Sequence, residues 1–179
     1  MTPADLLAEA FSRIPDTVGA VLAGIDETGP DPVLHRRADP GANTVSWLVW
    51  HLSRVQDDHV SEVAGVEQTW TADGWADRFA LPLPDAATAT GYGHTPDDVA
   101  AVRPSAELLR GYLAAVTERT TAYLRGGGAD DLDRVVDDRW DPPVTLGVRL
   151  VSVVDDDAQH AGQAALLRGI LERSSDRPV

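Results

Sequence analysis

The sequence predicts an all-α fold, a bundle of four helices, and three observations lead there. Apolar residues recur at three- and four-residue spacing in four separate stretches. No stretch alternates at period two for long enough to demand a sheet, and most Gly and Pro residues fall between the stretches. An amphipathic helix must bury its apolar stripe against something, and four such stripes satisfy one another most simply in a bundle. At 179 residues the chain reads as a single domain over positions 1–179.

The first helix is expected from Asp5 to about Ala23, with Leu7, Phe11, Ile14, Val18 and Val21 as its stripe and Pro15 as a point of kinking. Gly29-Pro30-Asp31-Pro32 and Asp39-Pro40-Gly41 then interrupt helix and read as a connection. Asn43 or Thr44 supplies the N-cap of a second helix, in which Leu48, Leu52, Val55 and His59 keep helical spacing to about Ala64. From Gly65 to about Pro104 runs a connection of unusual length, and its Trp70, Trp75, Phe79 and Tyr92 argue that much of it packs down. Within it, Thr95-Pro96-Asp97-Asp98 has the cap, the early proline and the first-turn acids of a short helical turn. After Ser105, residues Leu108, Leu109, Tyr112, Leu113, Val116, Tyr123 and Leu124 mark a third helix that Gly126-Gly127-Gly128 ends. Asp130 to Pro143 is an acidic connection containing Trp140, and Thr145 caps a long last helix reaching about Arg173.

Composition removes several classes of function. A formal net charge of -14 opposes binding to a phosphate backbone, which relies on Lys and Arg, so nucleic acid is set aside. No apolar run reaches the roughly 20 residues that span a bilayer, and Met1–Phe11 lacks the basic start of a secretory signal. The expected location is cytoplasmic. With no cysteine there is no thiolate nucleophile and no Cys-rich zinc site, so His and carboxylates are the only strong metal ligands. All 15 basic residues are Arg, which excludes a catalytic lysine.

The informative polar residues are those that interrupt an apolar stripe. In the last helix the stripe is read as Val153, Asp156, His160, Ala164, Leu167 and Leu171, which sets a carboxylate and an imidazole one turn apart. Asp157 points to a flanking direction and is a substitute for Asp156. His51, beside the Leu48–Leu52–Val55 stripe, is the partner from the second helix. Two His and one carboxylate suit zinc, and also iron, with a coordination position left open. Asp156 and His160 read equally as a buried hydrogen-bonded couple, since a carboxylate among apolar residues must be paired. His59 and His35 read as surface groups, and His94 as a residue of a solvated loop.

The segment Pro40-Gly41-Ala42-Asn43-Thr44-Val45-Ser46-Trp47-Leu48-Val49-Trp50-His51-Leu52 resembles the DinB-like superfamily, as do Asp156-Asp157-Ala158-Gln159-His160-Ala161-Gly162-Gln163 and Leu167-Arg168-Gly169. More closely the chain resembles the mycothiol-transferase-like branch. The resemblance implies an up-down-down-up bundle whose long connection joins helices two and three, and a homodimer, with the segment from Trp70 to Tyr92 as a contributor to its interface. It also implies a divalent metal, zinc first and nickel or iron as alternatives, held by a His on the second helix and a His-x-x-x-His pair on the fourth. Here the first member of that pair is Asp156, so the implied ligands are His51, Asp156 and His160. The implied activity is S-transfer of a low-molecular-weight thiol, mycothiol or bacillithiol, to an electrophilic small molecule. The alternatives are a non-catalytic bundle that binds a metal or small ligand, and a dimerisation module with a buried polar network.

Overall fold

The structure is a computed structural model that describes residues 1–175. It is mostly helical. Helix α1 (Pro3–Leu22) starts at Thr2, which forms a capping box with Asp5, and it passes through Pro15 without ending. Helix α2 (Val45–Ala64) is capped by Thr44 at one end and by a left-handed Gly65 at the other. The long connection contains three short helices, α3 (Thr69–Ala72), α4 (Trp75–Phe79) and α5 (Pro96–Ala101), the last opened by a Thr95–Asp98 capping box. Helix α6 (Ala106–Tyr123) begins at the cap Ser105 and runs into a wider π turn at Leu124–Gly128, which closes with Gly127 at positive φ. Helix α7 (Leu146–Ser175) follows Thr145, whose hydroxyl accepts from the Val148 N–H.

Two differences from the sequence reading stand out. The acidic connection before α7 is folded: strands β1 (Val135–Asp137) and β2 (Val144–Thr145) pair antiparallel. Three residues against two are too short to leave a period-two signature, so the pattern could not announce them. Tyr92 does not pack down, being 95% exposed, whereas Trp70 is fully buried.

Helices α1 and α2 each pack against both α6 and α7. Helix α2 is the most deeply placed. From Val45 to Arg54 every residue is buried, including Ser46, His51, Ser53 and Arg54. Its core neighbours include Val18, Leu22, Leu109, Leu113, Ala161 and Ala164 at one end of the molecule, while Phe11, Leu124, Leu146 and Leu150 form a second cluster at the other.

Burying polar groups on α2 requires partners, and the long connection supplies them. Asp57, 2% exposed, accepts from the Thr69 and Trp70 backbone N–H groups at 2.9 and 2.7 Å and so caps α3. It also accepts from the Tyr112 hydroxyl at 2.8 Å and lies 3.5 Å from the Arg54 guanidinium. Arg54 donates to the Tyr112 oxygen, to Gln68 Oε1 at 2.8 Å and to the Ala89 carbonyl at 3.0 Å, while Trp70 lies 4.9 Å below it. Ser46, at the opposite end of α2, donates to the Val102 carbonyl.

Removing one member of a buried ion pair leaves the other without compensation. Asp57→Ala is therefore expected to lower stability by about 3–5 kcal/mol in urea denaturation. Arg13→Ala, in the exposed Arg13–Glu9 pair, is expected to change it by less than about 1 kcal/mol.

Candidate metal centre

The buried stripe of α7 passes through Val153, Asp157, Ala161, Ala164, Leu167 and Leu171. Sequence reading placed Asp156 and His160 on it. Steps of three and of four residues are both helical, and with Asp at both 156 and 157 apolarity alone could not choose between them. The consequence is that Asp157 is 0% exposed, whereas Asp156 and His160 lie at the edge of the stripe, half-buried and open to solvent on one side. Burial pushes the Asp157 carboxyl well above the usual range, helped by the neighbouring Asp156 charge.

At that edge α7 meets α2. One donor atom each from His51, Asp156 and His160 lies within 4.8 Å of the others. The His51 and His160 rings are 4.8 Å apart, and the His160 Nε2 atom lies 3.5 Å from Asp156 Oδ1.

The two imidazoles are oriented from behind. His51 Nδ1 lies 2.5 Å from the Thr90 carbonyl oxygen, which can only accept. The proton is therefore on Nδ1, and the Nε2 lone pair is left free for an ion. Trp47 stacks on the same ring at 4.6 Å with planes 14° apart. The chain passes so close here that a side chain at Gly91 would put a Cβ 2.8 Å from His51 Nδ1 and 3.0 Å from Trp47, and its φ of +99° also favours glycine. His160 Nδ1 lies 3.0 Å from Gln163 Oε1, one turn on, which turns its Nε2 toward Asp156. Thr90 and Gly91 were missed in the sequence, since a backbone carbonyl carries no residue signature. The Gly91-Tyr92-Gly93 run was their only trace.

Charge at the centre is divided between the groups. Burial pushes the His51 ring below the ordinary imidazole range, so it is neutral near pH 7. The Asp156 carboxylate beside His160 raises that imidazole, and although burial works against the charge of Asp156, the neighbouring imidazoles hold the carboxyl below the usual range.

These residues fit a divalent ion. Asp156 Oδ2 is buried and has no hydrogen-bond partner, which an ion would satisfy. Zinc takes nitrogen and oxygen ligands at about 2.0–2.2 Å in a tetrahedral arrangement, so ligand atoms on one ion lie about 3.3–3.6 Å apart. The three donors, which lie within 4.8 Å of one another, therefore close by up to about 1.5 Å on binding it, a movement within reach of side-chain rotation.

A cleft of about 740 Å³ opens beside Asp156 and runs between α2 and α7 toward the hairpin. Val55, Asp58, His59, Glu62, Val148 and Arg149 are among its lining, with Arg139 and Trp140 from the hairpin, and Trp140 is 66% exposed. His59 is not a simple surface group: the Arg149 guanidinium donates to its Nδ1 at 2.9 Å and to Glu62 at 2.6 Å. His35 and His94 also depart from expectation. His35 is half-buried against the Ser46 hydroxyl, and His94 accepts from the Trp47 indole N–H at 3.1 Å and stacks on Trp50.

A family model described as mycothiol-S-transferase matches residues 6–173. A comparison with solved structures finds a conserved protein of a locus from Enterococcus faecalis, 34% identical, at a TM-score of 0.84, covering 94% of this chain and 96% of that one. A comparison with curated proteins gives no match.

Two predictions follow from the geometry. Asp156→Ala is expected to weaken zinc binding by more than about 100-fold, above the range seen for loss of an outer partner, whereas Asp157→Asn leaves it unchanged and Asp156→His preserves it; competition titration with a chelator reads all three. The second concerns pH. Burial is the leading cause that holds His35, His51 and His59 below the ordinary imidazole range. An imidazole with a lowered folded pKa stabilises the fold fully above its unfolded value of about 6.5, and this is lost as pH falls toward the folded value. His160, raised, acts in the opposite sense. Acidifying the metal-free protein from about pH 7.5 to about 5.5 should therefore lower its urea midpoint, with a shallower slope in His59→Gln.

Proposed function

The chain belongs to the mycothiol-S-transferase family, and from that premise we propose that it is a metal-dependent S-transferase using a low-molecular-weight thiol. The observation that carries this reading is the convergence of His51, Asp156 and His160 beside a cleft, with His51 Nε2 left free by the Thr90 carbonyl. His51 and His160 would hold a divalent ion, zinc first, through Nε2, and Asp156 through a carboxylate oxygen. A bound ion of this kind supplies positive charge and an open position that hold a thiol as its thiolate near neutral pH. The thiol comes from outside because the chain has no cysteine.

The remaining work falls to the chain itself. Gln163 and Thr90 keep the two imidazoles from turning, so the donors meet the ion already oriented. Asp156 stands at the boundary between the ligand set and the cleft, which sets an electrophile held in the cleft next to the thiol. Arg149 accepts no proton and fixes His59 with its hydrogen on Nε2, so His59 is a hydrogen-bond donor among the residues lining that space. The four long helices are read in the same proposal as an up-down-down-up bundle. The pairs Gln56–Thr120 and Arg54–Tyr112 run in step along α2 and α6, while His51–His160 and His59–Arg149 run in opposite order along α2 and α7. Homodimeric assembly and a cytoplasmic location belong to this reading as well.

Turnover should require both metal and thiol. The test is a screen of a bimane or halonitrobenzene electrophile with mycothiol, bacillithiol, glutathione or no thiol, with His160→Ala as the blank. Thiol-dependent conversion that His160→Ala abolishes is the expected result. Metal-dependent conversion without thiol would instead make the protein a hydrolase, and metal binding with no turnover would make it a binding protein.

A further inference from the structure

Behind His51 stands a residue that touches none of the three candidate ligands. Arg54 is fully buried and lies three residues beyond His51, on the same face of α2. Its Nε–H donates to the Ala89 carbonyl at 3.0 Å, and the next carbonyl along the chain, that of Thr90, accepts from His51 Nδ1. Two side chains of α2 thus hold two successive carbonyls of the long connection. Immediately afterwards Gly91 lets the backbone lie against His51, Trp47 and Trp50.

The guanidinium has little freedom to sit elsewhere. One Nη donates to Tyr112, the other to Gln68, Asp57 lies 3.5 Å away and the Trp70 ring covers it. An Arg can bond three acceptors in fixed directions because its N–H groups are planar and diverge, which a lysine ammonium cannot reproduce. We infer that Arg54 is a positioning residue for the metal centre: through the Ala89–Thr90 carbonyls it sets which nitrogen of His51 carries the proton and which faces the ion. This rests on the reading of His51 as a ligand, and its consequence is that part of the long connection is a working component of the centre.

A residue that merely stabilised the fold would not act on His51 selectively, and Gln68 provides the comparison. Gln68→Leu removes a partner of Arg54 but leaves the Ala89 bond in place. The experiment compares Arg54→Met, Arg54→Lys and Gln68→Leu with the parent by two readouts: the imidazole nitrogen NMR spectrum of His51 without metal, and zinc affinity by chelator competition. In the parent, His51 is expected as the single tautomer protonated at Nδ1. Both Arg54 variants should show a mixture of tautomers and bind zinc about 10- to 100-fold more weakly. Gln68→Leu should melt at a lower temperature with the His51 spectrum and zinc affinity of the parent. The inference is overturned if the foldable Arg54 variants keep the parent's His51 spectrum, or if Gln68→Leu disturbs it as much as they do. Should Arg54→Met fail to fold, Arg54→Lys decides alone. A parent that binds no zinc would refute the metal reading, yet the tautomer comparison would still decide the role of Arg54.

Discussion

The structure depends on one constraint, the polar side chains that α2 carries into the interior. A helix buried on nearly all sides would ordinarily be apolar on nearly all sides, yet α2 brings Ser46, His51, Arg54, Gln56 and Asp57 inside. Each needs a hydrogen-bond partner there, and a buried ion pair such as Arg54–Asp57 is tolerable only when its remaining groups are satisfied. Most of those partners come from the long connection between α2 and α6. Asp57 fixes its beginning at Thr69 and Trp70, Arg54 and His51 fix its middle at Ala89 and Thr90, and Trp47 and Ser46 fix its end at His94 and Val102. The connection runs along α2 from C-terminus to N-terminus, bonded at nearly every turn.

That arrangement explains how a centre can be sharp on one side and open on the other. On the α2 side His51 is set between the Thr90 carbonyl and the Trp47 ring, with no space for a Cβ at Gly91. On the α7 side the groups are half-buried, and Asp156 has a buried oxygen, Oδ2, without a hydrogen-bond partner. Fixed donor groups beside open space suit chemistry on an external molecule better than a closed structural site would. The hairpin beside the cleft adds the exposed Trp140 to the space an electrophile would enter.

Much of the scaffold was legible because helix ends carry chemical marks. Thr44, Gly65, Thr95 and Ser105 each stand at the boundary their type suggests. The meeting of His51, Asp156 and His160 was legible as well, from their types at helical spacing and from the resemblance of the surrounding motifs. What was hidden is of another kind. The choice between Asp156 and Asp157 as the buried carboxylate turned on helix phase, which two adjacent aspartates obscure. The β hairpin is shorter than the period that would reveal it. Four partners of His51, Arg54 and Asp57 are backbone groups, those of Thr69, Trp70, Ala89 and Thr90, and the backbone of a 40-residue stretch without long helices has no sequence code for where each carbonyl points.

The central claim is that a divalent ion belongs at the meeting of α2 and α7, with its imidazole ligands turned by the groups behind them. The most direct measurement is a crystal structure of the zinc-loaded protein with anomalous differences collected on both sides of the zinc edge. The account predicts one anomalous peak within about 2.0–2.2 Å of His51 Nε2, His160 Nε2 and an Asp156 oxygen, with the Thr90 carbonyl still bound to His51 Nδ1. A peak at His59 and Asp58 instead, or zinc on the Nδ1 atom of His51 with the Thr90 contact broken, would contradict it.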